Sequence, residues 1–261
     1  MVGRRRPSSR RALQVGTYAQ LDRDRPRRIG VPEIILAEGK SIPHLIGILR
    51  ALAARGEGAL ISRPTRTQTR ALERARQAGL PLRFLAGGRL ARLAGPLGAV
   101  YRSGCAALVT AGTSDVPLAD EARALLTELG VRVVVAYDVG VAGLHRLLGA
   151  VRRLERERPE VYLVFAGREG ALPTVIAGLV RAPVVGVPTS IGYGRGGRGE
   201  AALSAMLQSC APIAVVNIDA AVPAALFAAQ RFARSPPGRR AGRPTKERRR
   251  ARSAARPSRV P

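Results

Sequence analysis

Between residues 105 and 218, apolar runs alternate with amphipathic stretches across short polar breaks. Ala106–Thr110, Val131–Tyr137, Val161–Ala166, Pro183–Pro188 and Ile213–Ile218 predict five strands. Apolar residues at helical spacing predict helices over Leu118–Leu129, Leu144–Arg158, Ala171–Val180 and Glu200–Cys210. Gly130 and Pro159 end the first two. Strands that are apolar almost throughout need cover on both faces, which predicts a parallel sheet between two helical layers. Right-handed crossovers make such a sheet doubly wound.

Residues 12–98 read as a smaller N-terminal α/β domain. Val31–Ala37 and Ala59–Ser62 predict strands. Ser41 caps a helix running to Arg55, with Pro43 in its first turn. Thr67–Ala78 predicts a second helix, closed by Gly79. The stretch from Ala86 to Gly98 reads as a connector without regular structure. A second domain then spans 99–230, and residues 231–261 form a disordered Arg-rich tail.

Charge modifies this picture less than its size suggests. The chain carries +26 at pH 7, but residues 231–261 hold +11 of it and residues 1–11 hold five arginines. The remaining 219 residues carry only +10. Solvated basic tails are therefore favoured over contact with nucleic acid. Aromatic content of 3% without Trp also argues against base stacking. No long uncharged apolar run predicts a membrane span, and no apolar segment follows the N-terminal arginines as a secretory signal requires. Two cysteines are too few for a disulfide scaffold, and a cytoplasmic location is the default.

Parallel α/β sheets bind ligands where strands end and helices begin. Four such loops are rich in small and acidic residues: Gly112-Thr-Ser-Asp115, Asp138–His145, Gly167-Arg-Glu-Gly170 and Thr189–Gly194. Gly112 admits close backbone approach, Thr113 and Ser114 offer hydroxyls, and a helix N-terminus favours anions such as phosphate. Each candidate also has a structural reading. Asp115 and Asp138 suit helix or turn caps, His145 a surface histidine, and Glu169 a helix-dipole partner. Cys210 reads either as a buried inert thiol or as a nucleophile activated by the basic loop Arg195–Arg198. Cys105 reads as structural. No metal-ligand cluster is visible.

Several segments together resemble a known family. They are Gly112-Thr-Ser-Asp115 with Pro117, Tyr137-Asp-Val-Gly-Val-Ala-Gly-Leu-His-Arg146 and Ala166-Gly-Arg-Glu-Gly-Ala-Leu-Pro173. Val187-Pro-Thr-Ser-Ile-Gly-Tyr-Gly194, Met206-Leu-Gln-Ser-Cys-Ala211, Val216-Asn-Ile-Asp219 and Pro32-Glu-Ile-Ile-Leu-Ala-Glu-Gly-Lys40 extend the match. The chain resembles the LarB family of nickel-pincer cofactor biosynthesis, relatives of the aminoimidazole ribonucleotide carboxylase PurE. The match covers roughly residues 15–222. Arg168 departs from the pattern, which has an apolar residue there, and so does the basic tail.

The resemblance implies a flavodoxin-like, PurE-type fold in a homo-oligomer, an octamer, with sites near subunit interfaces. It also implies carboxylation of nicotinic acid adenine dinucleotide by CO2 at pyridinium C5. Hydrolysis of the phosphoanhydride then gives pyridinium-3,5-biscarboxylic acid mononucleotide and AMP. It places the nucleophile at Cys210. Glu169 then suits the base, and Asp115 and Ser114 suit contacts to nucleotide or CO2. Lys40, Gly112, Thr113, Asp138, His145, Gly167, Thr189, Ser190, Tyr193 and Gly194 complete the expected binding set. No tightly bound cofactor is expected, although Mg2+ suits a pyrophosphate substrate. Two alternatives stand beside this one. A PurE-type carboxylase or mutase of aminoimidazole ribonucleotide needs no cysteine, because its substrate carbon is already nucleophilic. A non-enzymatic nucleotide- or nucleic-acid-binding module would use the basic tails.

Overall fold

The computed structural model describes residues 12–98 and 104–232. The N-terminal part opens with a hairpin, β1 (Ala12–Val15) and β2 (Ala19–Asp22), and a short helix α1 (Arg25–Ile29). It continues as β3 (Ile34–Leu36), α2 (Ile42–Ala53), β4 (Ala59–Ser62), α3 (Arg66–Gln77), β5 (Leu82–Leu85) and β6 (Leu90–Leu93). The Ser41 hydroxyl caps α2 by accepting from His44 N. Thr65 and Gln68 form a reciprocal capping box on α3.

The four-stranded sheet has the order β3-β4-β6-β5. The stretch expected to be an unstructured connector therefore contains an interior strand. Strand β6 runs antiparallel to both β4 and β5. Arg92 interrupts its apolar pattern, which hides the strand in the sequence. In the fold, that guanidinium pairs with Glu128 at 3.3 Å.

The second part runs β7 (Cys105–Thr110), α4 (Val116–Glu128), β8 (Arg132–Ala136), α5 (Leu144–Glu155), β9 (Val161–Ala166) and α6 (Leu172–Ala177). It ends with β10 (Val184–Pro188), α7 (Glu200–Leu207), β11 (Ile213–Val215) and α8 (Ala221–Phe232). All pairings are parallel, in the order β11-β10-β9-β7-β8, which is the flavodoxin-like arrangement. Alternate strand residues face opposite layers. Ala106, Leu108, Leu163 and Phe165 pack under α4 and α8. Ala107, Val109, Tyr162 and Val164 pack under α5, α6 and α7.

Three expectations need correction. The last helix, α8, was not anticipated, and it carries the chain through Arg231 and Phe232, where the tail was expected to begin. The rest of the tail lies outside the described residues, as does residues 1–11. Helix α7 stops at Leu207, three residues before Cys210. Strand β11 stops at Val215, leaving Val216–Asp219 as a loop.

The two parts share a core. Val31, Leu60 and Leu90 of the first are buried in the same cluster as α4 and α8. Each buried leucine of this kind contributes roughly 1.5–3 kcal/mol, which seats the four-stranded sheet against α4. Among the described residues, no helix is long and apolar enough to cross a membrane.

Candidate active site

Because β7 to β11 are all parallel, the loops that follow them gather on one edge of the sheet. The switch point lies between β7 and β9, where the strand order reverses. Asp115 is buried there. Its Oδ1 accepts from the Thr189 hydroxyl at 2.7 Å and its Oδ2 from Gly112 N at 2.9 Å. Thr189, after β10, is itself buried. Burial pushes the Asp115 carboxyl above the usual range, while these two donors oppose that shift.

Thr113 and Ser114 stand exposed on the same turn, available to a ligand. Gly112 has φ −136°, and a Cβ there would meet only Asp115 Oδ2 at 3.8 Å. Its role is to leave open space; its backbone needs no glycine.

Three further loops carry residues in the left-handed region, which non-glycine residues rarely adopt: Asp138 (φ 57°), Arg168 (φ 33°) and Asp219 (φ 56°). They follow β8, β9 and β11. Strain of this kind gathers where backbone is shaped for a ligand. Asp138 N donates to the Thr110 hydroxyl at 3.0 Å, and the exposed Asp138 carboxylate lies 3.7 Å from Arg146. His145 is exposed in the first turn of α5. Gly167 is the strict glycine of the site, because a Cβ there would lie 2.1 Å from the Ile191 carbonyl oxygen. That contact lets the β9 and β10 loops meet.

Glu169 is exposed beside them. Tyr193 is 79% exposed, and its hydroxyl accepts from Arg168 Nη1 at 2.9 Å. Arg168, which departs from the family pattern, thus ties the loop bearing Ser190, Tyr193 and Gly194 to the loop bearing Glu169. Ser190 N donates to Asp219 Oδ1 at 2.8 Å. Asp219 was quoted in the sequence only as part of a motif. The early end of β11 frees it to face the site.

Cys210 stands apart from this group. It is exposed, so the buried-thiol reading does not hold. It lies between α7 and β11, hence at the opposite edge of the sheet from Asp115. A five-residue strand spans about 17 Å. The eight residues of α7 also separate it from Arg198, so the loop Arg195–Arg198 of the same chain does not activate the thiol. The turn that carries it is knotted by Ser209. The Ser209 hydroxyl accepts from Thr174 at 2.8 Å and from Ala211 N at 3.1 Å. Cys105 is buried at the start of β7, and burial raises its thiol pKa, as suits a structural residue.

Lys40 is exposed after β3, and its carbonyl accepts from the buried Gln68 side chain at 2.8 Å. Among the described residues, no three His, Cys, Asp or Glu side chains converge as a metal site requires. A Mg2+ ion would have to take most of its ligands from substrate phosphates and water.

Residues 106–250 match AIR carboxylase, more than half of the chain. The chain belongs to the AIR carboxylase family. Residues 13–83 match the LarB/PurE-like N-terminal domain, so this family member carries a LarB-type N-terminal part. The family match runs to residue 250, past the point where the sequence pattern was expected to end.

An uncharacterized protein of Methanocaldococcus jannaschii is 38% identical, covering 80% of this chain and 82% of its own. The N5-carboxyaminoimidazole ribonucleotide mutase of the same organism is 30% identical over 46% of this chain and 74% of its own. A probable mutase of the same kind from Methanothermobacter thermautotrophicus is 32% identical, over 50% of this chain and 39% of its own. The crystal structure of Treponema denticola PurE matches at 24% identity and TM-score 0.42, covering 50% of this chain and 80% of that one.

Proposed function

We propose that the protein carboxylates nicotinic acid adenine dinucleotide at pyridinium C5 and hydrolyses its phosphoanhydride. The products are pyridinium-3,5-biscarboxylic acid mononucleotide and AMP, and the pathway served is nickel-pincer cofactor synthesis. The observation that carries this reading is the exposed Cys210 on its knotted turn, in a carboxylase-family chain with a LarB-type N-terminal part. An aminoimidazole carbon attacks CO2 unaided, so that substrate leaves the cysteine without work.

A pyridinium ring is electron-poor and does not attack CO2. Addition of the Cys210 thiolate at C6 forms an S–C bond and leaves an enamine across the ring. C5 then attacks CO2, forming the new C–C bond. Glu169 takes the C5 proton as the S–C bond breaks, the thiolate leaves and the ring regains aromaticity. Water separately cleaves the phosphoanhydride. Thr113 and Ser114 hold a phosphate beside the start of α4, and Asp115 braces that turn.

Nucleophile and phosphate turn lie on opposite edges of one sheet, so the working site forms between copies, with Cys210 contributed by a neighbouring chain. Exposed Leu207, three residues before Cys210, and exposed Leu144 and Leu148 on α5 supply apolar surface suited to such contacts. A helix C-terminus disfavours a thiolate.

The test is mass spectrometry of products from nicotinic acid adenine dinucleotide, bicarbonate and Mg2+, with Cys210→Ala alongside. AMP together with a mononucleotide one carboxylate heavier than nicotinic acid mononucleotide is the expected result, with the heavier mononucleotide absent in the variant. Turnover of N5-carboxyaminoimidazole ribonucleotide instead would transfer the protein to the mutase chemistry of its relatives.

A further inference from the structure

The N-terminal part has a basic edge that meets α4, the helix that begins directly after the phosphate turn. Strands β3 and β4 end side by side, and β6 begins next to them. Three cations gather at that end. Lys40 leaves a turn pinned by Gln68, whose Nε2 donates to the carbonyls of Ala37 at 2.7 Å and Lys40 at 2.8 Å. Gln68 is 4% exposed, so the turn is built rigidly. Arg63 follows β4 in a left-handed conformation (φ 53°), and its N–H donates to the Arg89 carbonyl at 2.9 Å.

Two acidic groups pair with these arginines, Glu121 from α4 and Glu38 from the turn after β3. Arg89 Nε pairs with Glu121 of α4 at 3.2 Å, and Glu121 is 1% exposed. Arg63 Nε lies 3.6 Å from Glu38. Glu121 sits in the second turn of α4, which begins directly after the Thr113–Asp115 turn, so its pairing with Arg89 brings that guanidinium towards the phosphate turn. Both ion pairs engage Nε and leave the two Nη groups of each guanidinium for another acceptor. A phosphate accepts from such a fork in a bidentate manner.

We propose that Lys40, Arg63 and Arg89 form a second phosphate subsite, which takes the adenylate half of the dinucleotide. This rests on the reading above. It gives the N-terminal part a chemical task, because a mononucleotide substrate has one phosphate and a dinucleotide has two. Glu121 is a positioning residue for Arg89.

The test is calorimetric binding of AMP to the full chain and to Arg63→Met, Lys40→Met and the double variant. Arg89 is left in place, since its loss would strand the buried Glu121. The double variant is expected to bind AMP at least tenfold more weakly at an unchanged thermal midpoint, with Arg63→Lys partly restoring affinity. Unchanged AMP affinity in the double variant, or no AMP binding by the wild type, overturns the subsite. Product formation from nicotinic acid adenine dinucleotide is read separately. Turnover with variant-insensitive AMP binding leaves the reaction standing and removes the subsite. Variant-sensitive AMP binding without turnover does the reverse.

Discussion

The carboxylate of Asp115 accepts the hydroxyl of Thr189 at 2.7 Å, joining the ends of two strands 74 residues apart in the chain. Both side chains are buried, so the bond locks the Gly112–Asp115 turn to the loop that carries Ser190 and Tyr193. Thr189→Val keeps the shape and removes the donor. It should cost about 1–3 kcal/mol of stability, the usual penalty for an orphaned buried acceptor. Urea unfolding measures this, and no change would show that Asp115 is braced by Gly112 alone.

Burial raises the carboxyl pKa of both Asp115 and Glu121. The folded chain then holds these protons more tightly than the unfolded chain does. Their contribution to stability is complete below the unfolded carboxylate pKa of about 4. It is lost as pH rises through the raised folded values. Urea midpoints should therefore rise as pH falls from above the raised folded values towards about 4. The Asp115→Asn/Glu121→Gln double variant should show a flatter profile, and an equal slope in both proteins would refute this assignment.

Cys210 and Asp115 belong to opposite sheet edges, which makes complementation a direct test of a shared site. Asp115→Asn and Cys210→Ser should each be inactive alone. Co-expressed, random mixing leaves about a quarter of two-copy sites with both native residues. Recovered product formation at that level is the expected outcome. Mixed oligomers that stay inactive would place both residues within one chain's site and sink the composite arrangement.

Gly167 stands where a Cβ would meet the Ile191 carbonyl oxygen at 2.1 Å. Gly167→Ala should push the β9 and β10 loops apart, at about 1–3 kcal/mol for overpacking. A lowered thermal midpoint with faster proteolysis after Tyr193 would show it. A midpoint equal to wild type would mean that the loops separate freely.

The central sheet was legible because each of its strands is a near-continuous apolar run, and only a sheet covered on both faces buries such runs. The loops after β7 to β10 could be placed on one edge for the same reason: parallel strands leave no other choice. Strand β6 was hidden because Arg92 finds its partner, Glu128, 36 positions away, and no local pattern records that pairing. Helix α8 was hidden by its alanine-rich composition. Its buried alanines fit closely against α4 and the sheet without large side chains to mark the face.

Residue types alone marked Asp115, Glu169, Thr189 and Cys210 as candidates. Only the tertiary structure decided how they relate. It buries Asp115 against Thr189, sets Arg89 on Glu121, and puts Cys210 at the far edge. Distance between side chains depends on strand order and on where each helix stops, and both follow from packing across the whole molecule.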